Sequence, residues 1–365
     1  MKLSVLSRYL MKEVAQAWFA AAVVLVAVLM TNRLVRYLAD AASGKLPAEA
    51  IFSLLGLKML GYMGLILPAA FFLGIVLAFG RLYRDSEMSA LAACGGGPAA
   101  LYKALYLLAV PLALLVGGLG LAVGPWAEYK AAQVAVQAQH NMELEMLRAG
   151  RFLTSRRADG MFYMETLSPD ALRMGNVVVV SEGDDGRVTI VSAAGGRQER
   201  AASGSRYIVM EDGFRYEGVP GQSAWRVVEF EEHGVLIQPA QPPGPRIRMS
   251  GTPTLELWQR GSARDWGELH WRLSMPVMAL LLTLIAVPLS KAEPREGRYG
   301  KLLAAVLVYV AYSNGLTVGQ EWVRDGRVSP LLGLWWVHGL FAAAALAWLG
   351  HRYGWLRARL KGAAA

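Results

Sequence analysis

Six stretches of about 20 apolar residues fix what this chain can fold into, because about 20 such residues in helix cross the hydrocarbon core of a bilayer. They fall at approximately 14–35, 59–80, 102–124, 270–290, 301–320 and 331–350. With 365 residues, 55% hydrophobic and only 18% charged, the chain is too apolar for an ordinary soluble protein of this size. The first stretch is long and lacks a small-x-small cleavage site, so it reads as a retained helix rather than a signal peptide. One cysteine, Cys94, makes an internal disulfide impossible, and packing has to hold any exported part together.

The net charge of +9 is dispersed through the flanks of the apolar stretches and forms no basic domain, which argues against nucleic acid and for membrane orientation. Fourteen basic residues lie on one side: Lys2, Arg8, Lys12, Arg81, Arg84, Lys103, Lys291, Arg295, Arg298, Lys301, Arg352, Arg357, Arg359 and Lys361. Six lie in the short loops opposite: Arg33, Arg36, Lys45, Lys58, Arg324 and Arg327. The positive-inside rule then places both termini and the 81–103 loop in the cytoplasm and the 126–268 segment outside.

That outer segment changes period. A polar helical lead, Ala127 to Leu147, is followed by β-rich runs such as MFYMETL, NVVVVSEGDDGRVTIVS, RYIVMEDGFRYEG and WRVVEFEEHGVLI. Asp212-Gly213 predicts a type I′ hairpin turn within Arg206 to Gly218, and alternation places Phe214 and Tyr216 inward with Arg215 and Glu217 outward. Several hairpins over about 100 residues predict an antiparallel sandwich or jelly roll, either with an ordinary core or with a lipid-carrying groove. Pro239, Pro242, Pro243, Pro245 and Pro253 mark the return linker. The expected organisation is helices and a cytoplasmic loop over 1–125, the β-domain over 126–265, and helices with a basic tail over 266–365.

Enzymatic signatures are missing from the sequence. Gly44-Lys45 and Gly300-Lys301 lack the upstream glycine and following hydroxyl of a phosphate loop, and the five histidines have no metal-ligand spacing. Glu268, His270 and Arg272 cluster near the start of the fourth stretch, but positions two apart on a helix face different ways, which suits interfacial anchoring better than catalysis. Gly95-Gly96-Gly97 reads as a helix stop.

RLYRDSEMSALAACGGG, residues 81–97, is the polar interruption that asks for a purpose. Read as a short helix, it carries Asp85 and Glu87 in its leading turn and an apolar flank of Met88, Leu91 and Cys94. Such a helix suits docking into a groove on a partner that supplies force; a solvated interfacial turn is the alternative.

RYLMKE at the N-terminus, LLGLKMLGYMGLILPAAFFLGIVLAFGRLYRDSEMSALAACG, GPW at 124–126 and ELHWRLSMPVMALLLTLIAVPLSKAEPREGR together resemble the LptF/LptG (YjgP/YjgQ) permease family of the bacterial lipopolysaccharide exporter, over nearly the whole chain. The RYL start, the LYxxSE loop and the WR and PLS pattern lean toward its LptF side. The resemblance implies a multi-pass subunit of an inner-membrane ABC exporter with a periplasmic β-jelly-roll domain. Its implied partners are an LptG-like paralogous permease, an LptB-like ATPase dimer, an LptC-like bitopic protein and a periplasmic bridge; lipopolysaccharide is the implied cargo. ATP would be bound by the ATPase, with no cofactor in this chain. Glu87 matches the acidic residue of the family's coupling helix, and Asp85 departs from the Glu often found there. Arg33 and Arg36 match a basic pair that faces the phosphorylated head of lipid A, a role that suits guanidinium chemistry, with snorkelling to headgroups as the plainer alternative. Phe214 and Tyr216 are expected along a lipid path. A membrane-anchored scaffold or sensor whose β-domain binds a partner is the competing function.

Overall fold

The computed structural model describes residues 5–43, 46–95, 97–146, 150, 152–155, 160–168, 173–183, 186–200, 206–238, 248–291 and 300–352. Pro239, Pro242, Pro243 and Pro245, together with the basic residues at 295, 298, 357, 359 and 361, lie outside them. The chain divides into two compact units, Met1–Ala135 with Ile247–Ala365, and Val136–Arg246.

The first unit is helical. Its elements are α1 (Val5–Ala42), α2 (Ala50–Arg84), α3 (Glu87–Ala93), α4 (Pro98–Gly118), a π-turn (Leu119–Val123), the start of α5 (Gly124–Met146), and then α6 (Thr254–Arg260), α7 (Ala263–Ser290), α8 (Gly300–Arg324) and α9 (Trp335–Arg352). Among the described residues, five helical stretches are long and apolar enough to cross a membrane: α1, α2, Pro98–Ala138, α7 and α8. The stretch expected at 331–350 forms α9, which starts only at Trp335 and spends part of its 18 residues on His338, His351 and Arg352, so it is not among the five.

The third stretch does not stop at Gly124. It runs through the π-turn into α5, merging the span and the expected polar lead into one helical run. Pro68, Pro111, Pro276 and Pro288 sit inside helices, a cost that neighbouring helices offset in apolar bundles.

Helices α2 and α7 form the centre, largely buried, while α1 is exposed along most of its length. Phe71, Phe72, Ile75, Phe79 and Leu82 of α2 join Leu105 and Leu112 of α4, Met278 and Leu282 of α7, and Tyr312 and Leu316 of α8 in one core cluster. Gly74 lets α1 approach this centre, since a Cβ there would sit 2.7 Å from the Trp18 Cα and backbone nitrogen.

The second unit contains a six-stranded antiparallel sheet in the order β1-β2-β3-β4-β5-β6 (Phe152–Ser155, Gly160–Leu167, Arg173–Glu182, Val188–Arg200, Arg206–Gly218, Trp225–Gln238). The antiparallel expectation holds. The connectivity is a plain meander, with none of the Greek-key crossovers of a jelly roll among the described strands.

No hairpin forms at Asp212-Gly213. Arg206–Gly218 is a single strand paired on both sides, to β4 and to β6. Asp212 alone takes a left-handed φ of 52°, and Gly213 is required by close approach, because a Cβ there would meet the Phe230 ring at 2.7 Å. Asn176 on β3 repeats the left-handed turn of backbone with φ 47°.

Across that row the inward parity switches. Met174 and Val177 both enter the core, as do Ile208 and Met210 before Asp212, while Ala193, the register partner of Gly213, enters it beyond the row. Phe214 consequently faces outward, 43% exposed, and Arg215 turns toward the core with a buried Nε. This reverses the expected orientation: period-2 alternation holds only while φ stays extended, and one left-handed residue shifts every later side chain to the other face.

The α1–α2 contact yields a signed test. Gly74→Ala should lower the thermal unfolding midpoint in detergent by an amount equivalent to about 1–3 kcal/mol, from overpacking against Trp18. Gly80→Ala, where no neighbour lies within 4 Å, should raise it slightly through helix propensity. Equal shifts for both would rule out the close approach.

Candidate functional site

Three polar groups interrupt the apolar bundle, one at the α3 end and two at the opposite end, where α1 finishes and α2 and α7 begin.

At the α3 end, the polar stretch splits differently from the expected single short helix. Arg81 and Arg84 complete the last turn of α2, where cations suit the carbonyl end of the dipole. Asp85 caps α2, its N–H bonding the Arg81 carbonyl at 2.9 Å. Ser86 reverses the chain with φ 60°, and α3 begins at Glu87.

Glu87 accepts a 2.6 Å hydrogen bond from the Tyr9 hydroxyl, and Arg81 pairs with Glu13 at 2.7 Å, so both side chains tie the loop to the first turns of α1. Met88 is buried and Leu91 partly buried against this chain's own core. The apolar flank therefore anchors α3 to its own bundle rather than lying open for a partner. Asp85, Ser86, Ser89, Ala90, Ala92, Ala93, Cys94 and Gly95 are exposed on α3 and its ends. The helix stops after Ala93, with Gly95 at φ 82°, before Pro98 starts α4.

At the far end of α1, Arg33 and Arg36 do not act as a matched pair. The half-buried Arg33 donates through Nη2 to the Tyr62 hydroxyl of α2, and its guanidinium carbon lies 4.8 Å from the centroid of that ring. Its Nε is buried without a partner. Arg36 is exposed and makes no ion pair among the described residues. One turn before Tyr62, Lys58 pairs with Glu128 of α5, both side chains about four-fifths buried.

The third group, on α7, was only half legible. Glu268 and Arg272, four apart, share a face and bond at 3.1 Å in a buried pair. Arg272 also donates to Thr254 Oγ1 at 2.8 Å and to the carbonyls of Met249, Ser250 and Thr252. Thr254 in turn donates to the Leu121 carbonyl, which lies in the π-turn where the regular helical ladder is interrupted. Gln320 and Arg324 of α8 reach Glu268 from the other side at 3.3 and 3.2 Å.

His270 and Ser274 occupy another face of α7. His270 bonds the Pro330 carbonyl at 2.7 Å, and Ser274 bonds His338, which continues to Tyr312. Positions two apart do face different ways; the result is that α7 serves two sets of neighbours.

In the sheet unit, the Phe214 and Tyr216 rings are 6.4 Å apart. Burial first, and then the nearby Arg215 charge, hold the His233 pKa below its ordinary value, in keeping with Arg215 on the core side. No cluster of three or more potential metal ligands occurs among the described residues.

A bundle with five membrane-length apolar helices, polar groups at its two ends and an antiparallel sheet in mid-chain defines an integral membrane protein with a β-domain. The chain belongs to the lipopolysaccharide export system permease LptF/LptG family, whose model matches residues 8–351. It is 28% identical over 345 residues to the lipopolysaccharide export system permease protein LptF of Escherichia coli (strain K12), covering 94% of this chain and 93% of that protein. The LptF of Shigella flexneri is similar to the same extent.

Removing Arg272 should be costly because it leaves a buried carboxylate and three backbone carbonyls short of a donor. Arg272→Met is expected to destabilise the protein by about 3–5 kcal/mol. Thermal unfolding checks this, and a cost below about 1 kcal/mol would show that the guanidinium is dispensable.

Proposed function

We propose that this chain is the non-catalytic membrane subunit of an ABC-type exporter that removes lipopolysaccharide from the inner membrane and passes it toward a periplasmic bridge. Six helices span the membrane in this reading, α9 included, with both termini and α3 in the cytoplasm and the sheet in the periplasm. An LptG-like permease completes the cavity, an LptC-like protein joins it, and an LptB-like ATPase dimer binds the nucleotide, so the chain itself needs no cofactor.

The observation that carries this reading is the attachment of α3 at one end of a family permease whose cationic cluster lies at the other. A force applied to the outward surface of α3 acts on Met88 and Leu91, packed in the bundle, and on Glu87, bonded to Tyr9 of α1. It therefore reaches α1 and α2 together rather than bending a loose loop. At the outer end, Arg33 and the exposed Arg36 meet the phosphorylated headgroup, charge-assisted bonds being the strong ones available to phosphate. The acyl chains lie along the apolar surface that α1 exposes through Phe19, Val23, Val24 and Val28. With Phe214 on the outer face of the sheet, the lipid path through the β-domain takes that face, with Tyr216 beside it.

Two experiments on the reconstituted complex test this. Glu87→Lys replaces the acceptor of the Tyr9 bond by a cation, and should leave basal ATP hydrolysis by the partner within about twofold while lipid release falls at least tenfold, a loss of about 1.4 kcal/mol or more of coupling. Unchanged ATP-driven release would remove Glu87 from the coupling path.

Arg33→Glu/Arg36→Glu reverses charge at two helical positions without shortening the helix, so assembly should persist while lipopolysaccharide crosslinking drops. A pair that merely snorkels to lipid headgroups predicts intact crosslinking, and that result would remove Arg33 and Arg36 from the substrate path.

A further inference from the structure

The cluster at the outer end of α1 contains a carboxylate that a pure anion-binding site would not need. Glu128 of α5 holds the Lys58 ammonium, with the two side chains 18% and 21% exposed. Gly61 of α2 leaves the room for it, since a Cβ at that position would lie 3.2 Å from Glu128 Oε1.

Lys58 and Tyr62 are four apart on α2 and so share a face. Tyr62 is the residue that holds Arg33. Through that face of α2, Arg33 of α1 and Glu128 of α5 belong to one polar neighbourhood. Within it Arg33 keeps an unpartnered Nε, Arg36 is free of ion pairs among the described residues, and only Lys58 is neutralised by a partner on another helix.

An ion pair this far from water is coupled more strongly than a surface pair, yet leaving its cation alone is costly. A carboxylate that occupies one cation of a cationic cluster lowers the affinity for an incoming anion, because that anion has to displace it. We propose that Glu128 is a resident counter-ion: it occupies Lys58 while the site is empty, and yields it to a phosphate group of the bound lipid. The carboxylate then retakes Lys58 as the lipid leaves, so Lys58 is never left without a counter-charge and release is faster than it would be with that ammonium free. This rests on the reading of Arg33 and Arg36 as headgroup ligands.

The test measures equilibrium binding of purified lipopolysaccharide, and of the same lipid after enzymatic removal of its phosphates, to the full complex in nanodiscs. Glu128→Gln should bind the phosphorylated lipid about three- to tenfold more tightly and release it more slowly, whereas Lys58→Gln should bind it several-fold more weakly. Neither substitution should change binding of the dephosphorylated lipid. A purely structural pair predicts lower thermal stability for both variants with no opposite shifts in affinity, and that outcome overturns the proposal. If Glu128→Gln fails to assemble, Lys58→Gln decides alone, undiminished affinity for the phosphorylated lipid being the overturning result. Arg33→Glu/Arg36→Glu is measured alongside: if it retains binding, the headgroup reading itself fails, and if it loses binding while the Glu128 and Lys58 variants behave like wild type, only the counter-ion is refuted.

Discussion

A polar group buried in an apolar bundle is costly unless it finds a partner within the protein, and the architecture of this chain depends on how α7 meets that demand. The backbone is irregular where the chain re-enters the bundle, through a 3₁₀ turn at Met249–Gly251, the seven-residue α6 and the π-turn between α4 and α5. Such irregularity leaves carbonyls without helical donors, each costing about 1–3 kcal/mol if buried unpaired. Arg272 and Thr254 supply those donors, and Glu268 supplies the counter-charge that makes a buried guanidinium tolerable. On its other face α7 uses His270 and Ser274 in the same way toward the segment before α9 and α9 itself. One central helix thus fixes α4, α6, α8 and α9 at once.

The same economy governs the α3 end. Ser86 in a left-handed conformation breaks α2 from α3, and the short helix that results is too brief to be stable alone. It is kept by burial of Met88 and by the Tyr9 bond to Glu87. A helix that owes its existence to tertiary contacts cannot move independently of them. Through these contacts α3 is tied to the ends of both α1 and α2.

The apolar lengths and their spacing were legible because a bilayer-length run of Leu, Val, Ala and Phe has no other stable state. The boundary at Arg84 was not, since a polar sequence such as RLYRDSE continues a helix as readily as it ends one, and only the left-handed Ser86 decides. Asp212-Gly213 misled for a definable reason. Aspartate and glycine favour positive φ, which serves a hairpin turn when the arms pair with each other, but here β4 and β6 pair with both arms and the same preference produces a parity shift instead. Phe214 and Arg215 exchanged faces as a consequence. Arg33 and Arg36 read as a basic pair in the sequence, yet nothing local announced Tyr62, 29 residues away, which takes one of them and leaves the other exposed. Glu268 and Arg272 were dismissed with His270 as a cluster of alternating directions, although the i, i+4 pair within it was the informative spacing.

Helix α1 joins the two polar ends of the bundle in a way that its sequence alone does not disclose. From Tyr9 to Arg33 it runs without a break, a distance of about 36 Å at 1.5 Å per residue, comparable to the hydrocarbon thickness of a bilayer. Its middle is largely exposed, and it is held by the buried Leu10 and Val14, by the Trp18–Gly74 approach, and at its polar ends by Glu87 and Arg81 at one and Tyr62 at the other. A rod fixed at a close-packed point and tied at both ends does not shift one tie without loading the other. The guanidinium at the far tie is only half satisfied, bonded to Tyr62 while its buried Nε has no partner.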